Sequence, residues 1–225
     1  MNDKKTRLAG LLLLAIAISP ASASTVQVTV TDGNQAVADA VVYLLPANGT
    51  PPPAADPAGI MDQRNAQFMP HVLAVRKGAA VQFPNSDNIR HHVYSFSPAK
   101  AFQLRLYSGT DAEPVVFNQT GPVVLGCNIH DWMLGYIYVV DTPWFAKTGD
   151  TGQVNLSNIP AGDYHLLIWH PRLSDINQPV SHTVTVAANK NLEKHITLEL
   201  EPAVQRNRGT RPATDSLRSR RRNDD

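Results

Sequence analysis

Val26-Gln27-Val28-Thr29-Val30 decides the class of fold. Apolar and polar residues alternate there with a period of two, which sets the valines on one face of a strand. The same signature recurs outward from it in short runs. Residues 41–45 read Val-Val-Tyr-Leu-Leu and stop at Pro46. Residues 72–75 and 79–83 flank a Lys77-Gly78 turn, and further runs fall at 93–96, 114–117, 123–125, 136–140, 152–156, 164–169, 182–186 and 192–200. Prolines and glycines punctuate these runs, and helical periodicity is nearly absent. Many short strands separated by turn residues predict an all-β chain built as sandwich or barrel.

The two ends read differently from the body. Lys4, Lys5 and Arg7 precede an apolar stretch over residues 8–18, and Ala21-Ser22-Ala23 offers a small-residue cleavage site. This is the pattern of a signal peptide over 1–23, and it predicts export, to the periplasm of a Gram-negative cell. Residues 203–225 hold seven arginines and three aspartates with almost no apolar side chain. They read as a disordered basic tail able to touch an anionic partner or membrane surface, or as a solvated tail with no specific role. The net charge is only +1, so basic ends leave an acidic body, and nucleic acid is not expected as a partner. A lone cysteine, Cys127, excludes an intrachain disulfide. A single thiol in an oxidising compartment calls for another reason, and metal ligation is one.

Residues 47–59 contain Pro51-Pro52-Pro53 and read as a semi-rigid linker. Asp141-Thr142-Pro143 makes a second break. The stretches flanking these breaks carry Asp32-Gly33 followed by Ala40-Val41-Val42-Tyr43-Leu44, then Thr148-Gly149-Asp150-Thr151-Gly152 followed by Ile159-Pro160-Ala161-Gly162-Asp163-Tyr164. This pair of hairpins resembles the carboxypeptidase-regulatory-like, or transthyretin-like, β-sandwich. The resemblance implies one sandwich split between 24–48 and 142–202, with residues 57–141 inserted as a second domain. Two adjacent domains, with an edge strand supplied by the first stretch, are the alternative.

The chemistry sits in Gly126-Cys127-Asn128-Ile129-His130-Asp131-Trp132-Met133, a C-x-x-H-x-x-M pattern. A cysteine ending one strand, followed by a tight turn, brings an imidazole and a thioether back over the sulfur. A second imidazole must come from another strand. Phe83-Pro84-Asn85-Ser86-Asp87-Asn88-Ile89-Arg90-His91-His92-Val93 supplies one after a polar turn. Thiolate and imidazole suit copper, and a weak thioether completes a His2Cys set with a long axial ligand. Thioether is a poor zinc ligand. A binuclear copper site needs two cysteines, and multicopper sites need repeated H-x-H pairs; this chain has neither.

Residues 68–140 resemble the cupredoxins, in "F-P-N-x-D-x-x-x-H-x-V" from Phe83 and "G-C-x-x-H-x-x-M" from Gly126. The resemblance implies a Greek-key β-sandwich and one type 1 copper per chain held by His91, Cys127, His130 and Met133. Many cupredoxins place Asn after the first ligand histidine. This chain has His92 there, so His91 and His92 both stand as upstream candidates, with motif alignment favouring His91. Adjacent strand residues point to opposite faces, so only one of the two can reach the sulfur.

The expected role is one-electron transfer with a redox partner protein, not enzymatic turnover. No Ser-His-Asp set, carboxylate dyad or phosphate loop is visible in the sequence. A copper-handling or binding module without electron transfer is the alternative, though the chain has few of the Met/His clusters such proteins use. Trp132 reads either as part of an apolar docking patch around His130 or as core filling. His71, His165, His170, His182 and His195 lack partner spacing and read as structural or surface residues, with His170 in Trp169-His170-Pro171 the one to follow.

Overall fold

The computed structural model describes residues 24–52 and 58–203. The expected signal peptide, residues 53–57 of the linker, and the basic tail from 204 onward lie outside them. Every regular element among the described residues is a strand. The first stretch forms β1 (Ser24–Asp32), β2 (Gln35–Ala36) and β3 (Val41–Pro46). The middle forms β4 (Gly59–Ile60), β5 (Asp62–Gln63), β6 (Phe68–Met69), β7 (Val72–Arg76), β8 (Ala80–Gln82), β9 (His91–Ser97), β10 (Lys100–Tyr107), β11 (Val115–Val116), β12 (Gly121–Cys127) and β13 (Leu134–Val140). The last stretch forms β14 (Phe145–Lys147), β15 (Gln153–Ile159), β16 (Gly162–Trp169), β17 (Val180–Val186) and β18 (Leu192–Thr197).

Strands from the two ends of the chain pair with each other. β1 lies between β15 and β18, antiparallel to the first and parallel to the second. β3 lies between β14 and β16, with β17 at the edge. Alternation in β1 sends Val26, Val28 and Val30 into the space between these sheets, where they meet Val42, Leu44, Leu166 and Ile168. Buried Thr148 joins the first stretch to the last: its Oγ1 accepts from the Ala40 N–H at 2.9 Å and donates to the Val37 carbonyl at 2.8 Å.

The middle strands make a second pair of sheets. One runs β10-β9-β12-β13-β7, the other β11-β8-β4. Phe83, Val93, Phe117, Leu125 and Ile137 fill the core between them, and Cys127 and Met133 belong to the same cluster.

The apolar run 41–45 does not alternate because both faces of β3 are covered. Val42 and Leu44 enter the first core, whereas Val41 and Tyr43 turn outward into a seam against β7 and β13. β13 does the same, with Ile137 and Val139 inward and Tyr138 and Val140 in the seam. Tyr138 stacks on the fully buried Trp169 with centroids 4.5 Å apart, and its hydroxyl meets that of Tyr43 at 3.0 Å. Such aromatic pairs contribute about 0.5–1.5 kcal/mol beyond their burial, so the two sandwiches are packed together along this seam.

β10 is not among the expected strands. It is an edge strand carrying Lys100, Gln103 and Arg105; Phe102 and Leu104 lean on the core, and Tyr107 at its end is buried in it. Its sequence lacks the apolar density of the interior strands. Conversely, the run expected over 114–117 forms a regular strand only at Val115 and Val116, and the Phe117 N–H continues it to the Ala79 carbonyl at 3.0 Å.

Candidate metal centre

The upstream half of the site is a turn braced by amides. Asn85 follows β8 and is buried; its Nδ2 donates to the carbonyls of Ile89 and Tyr107, both at 2.9 Å. Its Oδ1 accepts from the Asp87 N–H at 3.0 Å. Asp87 in turn accepts from the N–H groups of Asn65 at 2.6 Å and Ala66 at 2.9 Å. Burial acts to raise the Asp87 carboxyl, but the Ala66 N–H, the His91 imidazole and the Asn65 N–H together outweigh it and hold the group below the usual carboxylate range.

His91 opens β9 and is fully buried. Its Nε2 lies 2.7 Å from Asp87 Oδ2, and its Nδ1 lies 3.8 Å from Cys127 Sγ. Cys127 ends β12, opposite Val93 of β9, and is 3% exposed. The chain then turns, and the Met133 N–H closes that turn on the His130 carbonyl at 2.9 Å. His130 Nδ1 returns to 3.9 Å from Cys127 Sγ. One ligand atom each from His91, Cys127 and His130 lies within 4.8 Å of the others. Met133 is buried in the same core cluster as Cys127. Burial and the neighbouring His91 both lower the His130 imidazole, which favours the neutral, ligating form.

The adjacent histidine faces the other way. His92 sits between the side-chain amides of Asn128, 2.8 Å from its Nδ1, and Gln103, 2.7 Å from its Nε2. It therefore braces the residue following Cys127 from the far side of the sheet, while His91 takes the sulfur side. Neither Asp87 nor Gln103 has a role assigned from sequence. The spacing of Asp87 four residues before His91 is the signal that was available.

The donor set fits a metal of the soft-to-borderline kind. With metal–nitrogen and metal–sulfur bonds of about 2.0 and 2.3 Å, a trigonal arrangement holds N and S about 3.7 Å apart. The two observed separations, 3.8 and 3.9 Å, match it. Ile89 and Ile129, near the cluster in sequence, are about half exposed, and the His130 ring is only partly covered. Trp132 packs against His130 with centroids 5.0 Å apart.

The other histidines stand apart from this cluster. His71, His165, His182 and His195 are exposed. His170 is buried, and its Nδ1 accepts from the Arg172 N–H at 3.2 Å.

No protein-family model and no curated protein matches the chain in sequence. Among solved structures, it is similar to the copper-containing nitrite reductase from Thermus scotoductus SA-01, at 22% identity over 42% of this chain and 25% of that one, with a TM-score of 0.36. It is similar to an oxidized mutant of amicyanin, at 19% identity over 44% of this chain and 99% of that one, with a TM-score of 0.34. It is also similar to a purple cupredoxin from Nitrosopumilus maritimus, at 23% identity over 37% of this chain and the whole of that one, with a TM-score of 0.33. The matched part spans a quarter of the nitrite reductase. These structure neighbours are cupredoxins or contain copper, and they match less than half of this chain.

Proposed function

We propose that the chain is an exported type 1 copper protein of cupredoxin type that passes one electron at a time and catalyses no reaction of its own. The observation that carries this reading is the buried His91–Cys127–His130 cluster, with both imidazole nitrogens at trigonal distance from one sulfur. Met133, buried in the same core cluster as Cys127, would supply the thioether of the set. Residues 57–141 form the copper unit, and the sandwich of 24–48 and 142–202, of carboxypeptidase-regulatory-like kind, carries it.

Copper, when bound, supplies a one-electron couple. The rest follows from the chain's own residues. Asp87 keeps the hydrogen of His91 on Nε2 and leaves Nδ1 free as a donor to metal. The strand pairing of β9 with β12 and the His92–Asn128 contact fix the sulfur's position before metal arrives. A frame held this rigidly rearranges little between oxidation states. The partly covered His130, flanked by Ile129, is the edge at which a partner protein docks. Copper handling is the weaker reading, because a carrier that surrenders its metal needs accessible ligands, and His91 and Cys127 are almost wholly enclosed.

The test is the visible spectrum of the chain from residue 24, loaded with Cu(II), beside Cys127→Ser. An intense orange-red band, bleached by mild reductant and absent from Cys127→Ser, supports the reading. A pale spectrum indifferent to Cys127 sinks it.

A further inference from the structure

The outer face of the β10-β9-β12-β13-β7 sheet is covered over only part of its width. At the β13 and β7 end, Val72, Tyr138 and Val140 meet Val41, Tyr43 and Trp169 in the seam. At the β9 and β10 end the same face is open, with Ala101 and Gln103 exposed and Phe96 84% exposed. The apolar character does not stop where the cover does. Val124 lies opposite Tyr136, and Gly126 lies opposite both Leu134 of β13 and Tyr94 of β9. Residues directly opposite in a sheet share a face, so Leu134, Val124 and Tyr94, all half-buried, carry the seam's surface on toward Phe96.

Phe96 stands on the rim of a hollow of about 350 Å³, bordered also by Tyr94, Val124, Leu134 and Asp131. A cavity of about 150 Å³ already accepts a benzene ring, so the hollow has room for a phenyl side chain. The Phe96 ring of the same chain does not fill it. That ring leans on Tyr94, with centroids 5.2 Å apart and a tilt of 42°, and stays in solvent. Tyr94 in turn lies over Gly126, where a Cβ would come within 2.6 Å of its Cζ. A supported aromatic knob therefore rises beside an apolar hole. Among the described residues bordering that hole, Asp131 alone is charged, so the acidic body repels itself little here.

We propose that this open face is a homodimer interface, in which two copies of the chain meet about a two-fold axis and Phe96 of each enters the hollow of the other. A two-fold contact requires a surface that is its own complement, and a knob beside its matching hole is one. A partner of another kind would account for only one of the two features. The second copy also extends, over the rest of the same sheet face, the cover that the seam begins. Area sets the strength. Three strands about 4.8 Å apart and about 25 Å long present about 350 Å² per copy in flat projection. The total of about 700 Å² belongs with weak, reversible contacts, so a dissociation constant on the order of 100 μM is expected.

The test is sedimentation equilibrium of the full chain from about 10 μM to about 1 mM, a range that brackets such an affinity. The mass should rise from one chain to two and no further, because a two-fold contact closes on itself. Phe96→Ser removes the knob at an exposed position, where the fold has little to lose. Val124→Lys leaves the knob and puts a long charged chain into the hollow. Each variant should weaken association at least about tenfold. A chain that stays single at the highest concentration, a mass that grows past two chains, or association undiminished in either variant overturns the proposal. The readout is mass and needs no metal: a colourless protein defeats only the copper reading, and a coloured one that stays single defeats only this inference.

Discussion

His91 touches Asp87 with one ring nitrogen, at 2.7 Å, and faces Cys127 with the other, at 3.8 Å. A carboxylate only accepts, so the hydrogen sits on Nε2 and the Nδ1 lone pair points at the sulfur. Asp87→Asn preserves the shape of the turn but removes the charge that fixes this tautomer. Copper affinity should fall about 10- to 100-fold, measured by competition with a chromogenic chelator, while the colour of the loaded protein persists. Unchanged affinity would reduce Asp87 to a brace for the Asn65 and Ala66 amides.

Met133 is 2% exposed, and its backbone closes the turn after His130. Met133→Gln should keep copper and colour but lower the reduction potential, because an amide oxygen favours Cu(II) more than a thioether does. A spectroscopic redox titration reads the shift. Loss of copper in that variant would show that Met133 holds the ion rather than tunes it.

The local half of the site was legible because C-x-x-H-x-x-M closes within one turn: Cys127, His130 and Met133 are brought together by chain connectivity. The choice between His91 and His92 was not, because it depends on how β9 registers against β12. Pairing of Val93 with Cys127 sends His91 to the sulfur side and leaves His92 to the Asn128 and Gln103 amides. Gln103 itself lies on β10, whose mixed Lys, Gln and Arg pattern reads as loop until an edge position is known. Trp132 illustrates the same limit. Its neighbour in sequence is the site, but the cavity that it lines between the two sandwiches needs residues from both ends of the chain.

Two glycines beside the site separate rigid from yielding packing. A Cβ at Gly135 would sit 2.7 Å from Phe68 Cβ and 2.9 Å from its Cγ, the root of a ring buried in the core. A Cβ at Gly126 would sit 2.6 Å from Tyr94 Cζ, the far end of a half-buried side chain that can swing outward. Gly135→Ala should therefore lose about 1–3 kcal/mol of stability, and Gly126→Ala distinctly less. Urea unfolding of the two variants gives the comparison; equal losses would mean that Tyr94 is as fixed as Phe68.

His170 makes stability depend on pH. Burial, and then the charge of Arg172, push its imidazole down from 6.5 to about 4. The folded protein keeps it neutral where the unfolded chain already binds a proton. Its contribution is thus complete above pH 6.5 and declines as pH falls toward 4. A displacement of this size corresponds to about 3 kcal/mol across that window. His170→Gln cannot take up the proton in either state, so its stability should fall less between those limits. Carboxylates titrate alike in both proteins, which leaves the difference between their urea-unfolding profiles at pH 7.5, 5.5 and 4.5 to His170 alone. Parallel profiles would mean that the folded protein protonates His170 as readily as the unfolded chain does.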